Sequence, residues 1–205
     1  MHSSAPVHAG SGERIHAPDL QIFVFALFFI FGGITSLNDV LIPKLKGLFS
    51  LDYAQAMLTQ SAFFAAYFIV SMPAGLLVRR IGYMASAAVG LVIMMLGCVL
   101  FIPASLSATF GTFLVALFVV ATGITIVQVV ANPLISLLGH PQTAHSRLTF
   151  AQAFNSLGTT VAPYVGATLI LGSLAQVDPS TLSGEALRLF QVEETSRIVE
   201  TYLGI

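Results

Sequence analysis

Apolar positions in this chain come in long unbroken blocks, not in alternation. Five blocks match or exceed the roughly 20 residues that a helix needs to cross a bilayer. They are 20–45, 54–78, 83–102, 108–138 and 148–174. The pattern therefore predicts an all-α membrane protein with a five-helix bundle over 20–174. The polar stretch 1–19, rich in Gly, Ser, Pro and His, reads as a disordered tail. The stretch 175–205 carries five acids within "AQVDPSTLSGEALRLFQVEETSRIVE" and reads as a polar loop with room for a short amphipathic helix. Its end, "TYLGI", reads as the start of a sixth span whose remainder is missing.

The blocks repeat. Sliding the chain by ninety residues lays 23–73 over 113–163 with 15 of 51 positions identical, without a gap. Gly33-Ile34-Thr35 falls on Gly123-Ile124-Thr125, Pro43 on Pro133, and Pro73 on Pro163. A unit of three spans, copied once, must lie in opposite orientations in its two copies. Such 3+3 inverted repeats build each six-span half of major facilitator transporters. Gly32-Gly33 with Pro43, and Gly123 with Pro133, read as weakened stretches of spans one and four, where such folds place a substrate site.

The polar residues inside the blocks fall on helical faces. Gly32, Ser36, Asp39 and Pro43 share one face of span one. Thr125, Gln128 and Asn132 share a face of span four, and Gln152, Asn155, Ser156 and Thr159 one of span five. Gln60, Tyr67 and Ser71 make a weaker stripe on span two, and span three has almost no strong polar group. Asn38 and Gln128 occupy matched repeat positions, whereas Asp39 has only Val129 opposite it. Lipid cannot satisfy amides, so these stripes should face the bundle interior or a watery cavity. Amides donate and accept, as sugar hydroxyls do. Asn38, Gln128, Asn132, Gln152 and Asn155 are thus candidate substrate ligands. Asp39 is the candidate proton-coupling acid, because an acid in such a cavity can exchange protons near neutral pH. Two plainer accounts stand beside these. The amides can serve as glue between helices, and Asp39 can sit at the outer surface beside Lys44 or Lys46.

Composition agrees with the membrane reading. Of 205 residues, 56% are hydrophobic and 8% charged, against about 25% charged in soluble domains. The net charge of −1 gives no reason to expect a nucleic acid partner. Cys98 stands alone within an apolar block, so it reads as a packed hydrophobe. Lysines and arginines balance on the two sides, and only the Arg79-Arg80 turn favours an inside N-terminus. Hydrolase, metalloprotease and phosphate-loop motifs are absent, and His2, His8 and His16 lack metal-ligand spacing. His140 and His145, in a loop with Arg147, read as solvated. Neither an enzyme nor a cofactor is expected. The alternatives to a transporter are an integral membrane scaffold or an inactive transporter fragment.

The stretches "LNDVLIPKLK", "QSAFFAAYFIVSMPAGLLVRRIGY", "QVVANPLISLLG" and "SRLTFAQAFNSLGTTVAPYVG" closely resemble the fucose:proton symporter family, and within it the bacterial glucose/galactose transporters. The resemblance runs over about 25–171. It implies a twelve-span inner-membrane symporter with a hexose substrate and a coupling cation, proton before sodium. This chain would be its N-terminal part and would lack the C-terminal half. It implies that Asp39 takes part in proton coupling and that Gln128, Gln152 and Asn155 line the sugar cavity. Two departures stand out. Fucose symporters have a glutamate where Gln128 stands, which points away from fucose. The facilitator loop after span two survives only as "GLLVRRIGYM", with Arg79 in place of its aspartate.

Overall fold

The computed structural model describes residues 18–168 and 181–203, all helical apart from short turns. Helix α1 is Pro18–Leu48, α2 Tyr53–Ile81, α3 Tyr83–Ser107, α4 Phe110–Leu137, α5 Ala144–Gly166 and α6 Gly184–Leu203, with one 3₁₀ turn at Pro141–Thr143. The expected tail over 1–17 and the end of the fifth block lie outside the described residues.

Helices α1 to α4 have 31, 29, 25 and 28 residues, longer than the bilayer minimum. By length and composition, four helices among the described residues can cross a membrane: Leu20–Leu48, Tyr53–Ile81, Tyr83–Ser107 and Phe110–Leu137. The described part of α5 is long but falls short on composition, because its amides and hydroxyls dilute its apolar content.

The helix ends follow local chemistry. Asp52 caps α2 by accepting from the Gln55 backbone N–H at 2.7 Å, while the Gln55 side chain accepts from the Asp52 N–H at 3.1 Å. Gly82, at φ 81°, makes the tight turn into α3. Arg147 at the start of α5 donates to the carbonyls of Ile135 (3.2 Å), Ser136 (3.1 Å) and His140 (2.9 Å). Its guanidinium thus satisfies carbonyls at the C-terminal end of α4, where the helix dipole is negative. Arg147 is thus engaged, while His140 and His145 are exposed.

Packing places α1 most closely against α5, and α3 against α4, with α2 lying on α4 and α6 on α3. The core is a continuous set of Phe, Leu, Val, Ile and Ala from α1 and α4, joined by Phe63 of α2, Phe101 of α3 and Ala151 of α5. Cys98 is buried within it. Val92, Met95, Leu96 and Val99 of α3 are exposed, as a lipid-facing helix requires.

The glycines correct one expectation. α1 and α4 run unbroken through Gly32-Gly33, Pro43, Gly123 and Pro133, so these residues do not interrupt the helices. The glycines let helices approach. A Cβ on Gly123 would lie 2.5 Å from the Met94 nitrogen and 2.7 Å from the Gly90 carbonyl oxygen. One on Gly32 would lie 2.5 Å from the Asn155 carbonyl oxygen, and one on Gly158 would collide with the Phe29 carbonyl. Small residues at such crossings are the usual means of packing helices in lipid.

Within 175–205, residues 175–180 lie outside the described residues, and the described 181–203 carry a 20-residue helix, α6, longer than the short helix expected. Its sequence looks polar, yet it buries Glu194, Thr195, Ile198 and Val199. Lys44 and Glu194 form an ion pair with only 2% and 4% of their side chains exposed. Gln191 Nε2 donates to the Leu48 carbonyl at 3.1 Å, and Thr195 Oγ1 to the Ser105 carbonyl at 3.4 Å. α6 therefore docks on the C-terminal ends of α1 and α3.

Candidate functional site

Asp39 is the single carboxylate in the four candidate spans. Its side chain is exposed on α1, nine residues before Leu48, and it has no ion-pair partner among the described residues. The plainer account in which it pairs with Lys44 or Lys46 is not what is seen. Lys44 is taken by Glu194, and the Lys46 ammonium lies 4.1 Å from the centre of the Tyr53 ring. Gly32 and Ser36, on the same face, are buried, whereas Asp39 and Pro43 are exposed. The stripe therefore opens toward the C-terminal end of α1.

Asn38 faces the other way. It is 1% exposed, and its Nδ2 donates to Gln60 Oε1 of α2 at 3.0 Å. Its Oδ1 is buried and has no partner among the described residues. Gln128, its repeat counterpart on α4, is half-buried and donates from Nε2 to the Tyr67 hydroxyl of α2 at 3.2 Å. Thr35 and Thr125, matched in the repeat, each donate to the carbonyl four residues back at 2.7 Å.

The remaining amides lie on α4 and α5. Asn132 and Gln152 are exposed, and Asn155 is half-buried against Gly32. Asn155 Nδ2 points at Gln152 Oε1 at 3.4 Å, while its Oδ1 is buried without a partner among the described residues. Deeper along this crossing, Phe25 of α1 stacks on Phe154 of α5 at 5.4 Å. The structure thus brings Gln152 and Asn155 together on α5. Asn38 and Gln128 are joined to α2, and Asn132, one turn beyond Gln128 on α4, is exposed.

Sequence reasoning gave α2 less weight than it has here. Gln60 and Tyr67 are seven residues apart, two turns of one helix face, and each takes an amide from a different repeat. Their spacing was the available signal. The Lys44–Glu194 pair had no local signal, since its members lie 150 positions apart. Among the described residues no group of three or more His, Cys, Asp or Glu could hold a metal. Chemically, the arrangement offers hydrogen-bond donors and acceptors on α1, α2, α4 and α5, and one exposed carboxylate.

Comparison with known proteins follows the same lines. The model of the Major Facilitator Superfamily matches residues 23–175. The glucose/galactose transporter of Brucella abortus is 57% identical over 181 residues, which are 88% of this chain and 43% of that protein. The L-fucose-proton symporter of Escherichia coli is 40% identical over 149 residues, 73% of this chain and 34% of that one. Among solved structures, the transporter FucP in the outward conformation superposes with a TM-score of 0.78 at 34% identity, covering 93% of this chain and 46% of that chain. The chain thus spans less than half the length of these relatives, and its helices correspond to the N-terminal half of the FucP fold. It is a multi-pass, all-α membrane protein and not an enzyme, and it belongs to the Major Facilitator Superfamily.

Proposed function

We propose that this chain is the N-terminal part of a hexose:proton symporter of the bacterial inner membrane, of the glucose/galactose type, working by alternating access. In this reading 20–174 is the membrane bundle and 175–205 is a polar connection followed by the start of the sixth helix, α6. Asp39 carries the coupling proton. Gln128, Asn132, Gln152 and Asn155 supply the sugar's hydrogen-bond partners, with Asn38 behind them. The C-terminal half of the transporter supplies the opposite wall.

One observation carries the reading. A bundle of apolar spans contains a single carboxylate, and that carboxylate is exposed rather than paired. An ionisable group in a membrane span is costly and persists where it does work. The likeness to glucose/galactose transporters and to fucose–proton symporters supports both the substrate class and the cation. A membrane scaffold without transport draws on a different observation, the Asn38–Gln60 and Gln128–Tyr67 bonds, which tie helices together.

The experiment is uptake of labelled glucose and galactose by the complete transporter that carries this chain, reconstituted in vesicles with an imposed pH gradient. The symporter reading expects accumulation that collapses when a protonophore dissipates the gradient. Accumulation driven by sodium alone contradicts proton coupling, and absence of any hexose uptake favours the scaffold.

A further inference from the structure

Two amides at matched repeat positions, Asn38 and Gln128, are each held by the same helix. Gln60 accepts from one at 3.0 Å and Tyr67 from the other at 3.2 Å. The two acceptors share a face of α2 about 10 Å apart, at 1.5 Å per residue. Nothing in the repeat itself requires this. The positions that match Gln60 and Tyr67 in the second copy are Phe150 and Leu157, which carry no polar group. The arrangement is thus present in the first copy only, and it ties both copies to one helix.

We propose that α2 is the positioning helix of the substrate site: Tyr67 orients Gln128, and Gln60 pins the turn of α1 that carries Asp39, without either residue contacting the sugar. This rests on the hexose-transport reading above. A Gln side chain has several rotamers and an amide that can turn end for end. With Nε2 committed to the Tyr67 hydroxyl, the Gln128 carbonyl oxygen is left as the acceptor to offer a sugar hydroxyl. The Tyr67 ring is itself fixed, packed 5.5 Å from Phe63, and Phe63 is buried. Its hydroxyl thus joins α2 to α4. Asn38 is almost fully enclosed, and its bond to Gln60 fixes the residue next to Asp39. An acid that must give and take a proton in a set geometry benefits from a neighbour that cannot rotate away.

Double-mutant cycles in the complete transporter test this, because they separate orienting from direct contact. The variants are Tyr67→Phe, Gln128→Ala and the pair together, then Gln60→Ala, Asn38→Ala and their pair. Labelled galactose uptake gives KM and kcat, and thermal unfolding of the purified protein shows whether each variant folds. Tyr67→Phe removes one oxygen and keeps the ring, so it is expected to fold. Its KM should rise about two- to tenfold, the worth of one hydrogen bond, with kcat unchanged. In the Gln128→Ala background the same change should have no further effect, and Gln60→Ala should likewise add nothing to Asn38→Ala. A Tyr67→Phe effect that persists in full without the Gln128 amide overturns the proposal, since it means that the phenol contacts the sugar itself. An unchanged KM in Tyr67→Phe overturns it as well. If the unmutated transporter takes up no hexose, the functional reading on which the proposal rests has failed, and that result is visible before any variant is made.

Discussion

The α1–α5 pair and the α4–α2 pair are counterparts under the ninety-residue repeat, yet they are joined by different chemistry. On α1 and α5, Gly33 faces Gly158 and Ala162, and the backbones come close enough that a methyl on Gly158 would collide with the Phe29 carbonyl. On α4 and α2 the position matching Gly158 is Phe68, which is exposed, and the link is a hydrogen bond from Gln128 to Tyr67. Gly123, the repeat partner of Gly33, turns instead to α3 and meets Gly90 and Met94. Duplication preserved the frame, down to Thr35 and Thr125 bonding back at the same distance. The copies differ where polar groups were added. Asp39, Gln60, Tyr67, Gln152 and Asn155 all lack a polar counterpart in the other copy. Those are the places at which a symmetric scaffold can become a directional device.

The largest expected effect breaks a third pair, α1–α6, which the repeat sets against α4–α3. The α4–α3 crossing is built on glycines and the α1–α6 contact on buried charge. Lys44→Ala or Glu194→Ala leaves one charge buried and alone, so either should cost about 3–5 kcal/mol in equilibrium unfolding of the complete transporter. Lys44→Met together with Glu194→Leu should recover most of that loss, because two apolar groups leave no charge stranded. A double variant as unstable as the singles would show that α6 is held by something other than this pair.

Next come the glycine crossings. Gly158→Ala and Gly123→Ala each force helices apart and should destabilise by about 1–3 kcal/mol in the same assay. Equal tolerance of alanine at both sites and at Gly111, which has nothing within 4 Å, would remove the basis for calling these crossings close.

A smaller loss, about 1–2 kcal/mol, is expected for Arg147→Lys, since an ammonium cannot reproduce the guanidinium fork that reaches the carbonyls of Ile135, Ser136 and His140. The smallest effect should be a gain. Gly75 lies inside α2 with open space around its missing Cβ, so Gly75→Ala should stabilise by up to about 1 kcal/mol.

Much of the frame was legible because lipid imposes it. Length and hydrophobicity place α1 to α4 to within a few residues, since a span can be neither short nor polar. The repeat identified the architecture because identical Gly, Thr and Pro at one spacing are hard to reach by composition alone. α6 was not legible in that way. Its acids mark an exposed loop unless a partner neutralises one, and the partner of Glu194 lies 150 positions away. The role of the glycines was misjudged for a related reason. A glycine in a helix looks like a weak point until a neighbouring backbone is known to need the space. Around the candidate site, spacing gave the faces but not their neighbours. It set Asn38 and Asp39 side by side in sequence, while the fold buries one against α2 and exposes the other.

The role of Asp39 is tested most directly by replacing it with asparagine in the complete transporter. Asparagine keeps the size and hydrogen-bonding character of the side chain but cannot carry a proton. With an inward pH gradient across vesicles, Asp39→Asn should lose at least tenfold in net accumulation of labelled galactose while exchange of galactose for galactose continues. Accumulation equal to that of the unmutated transporter would contradict the assignment of Asp39 as the coupling acid.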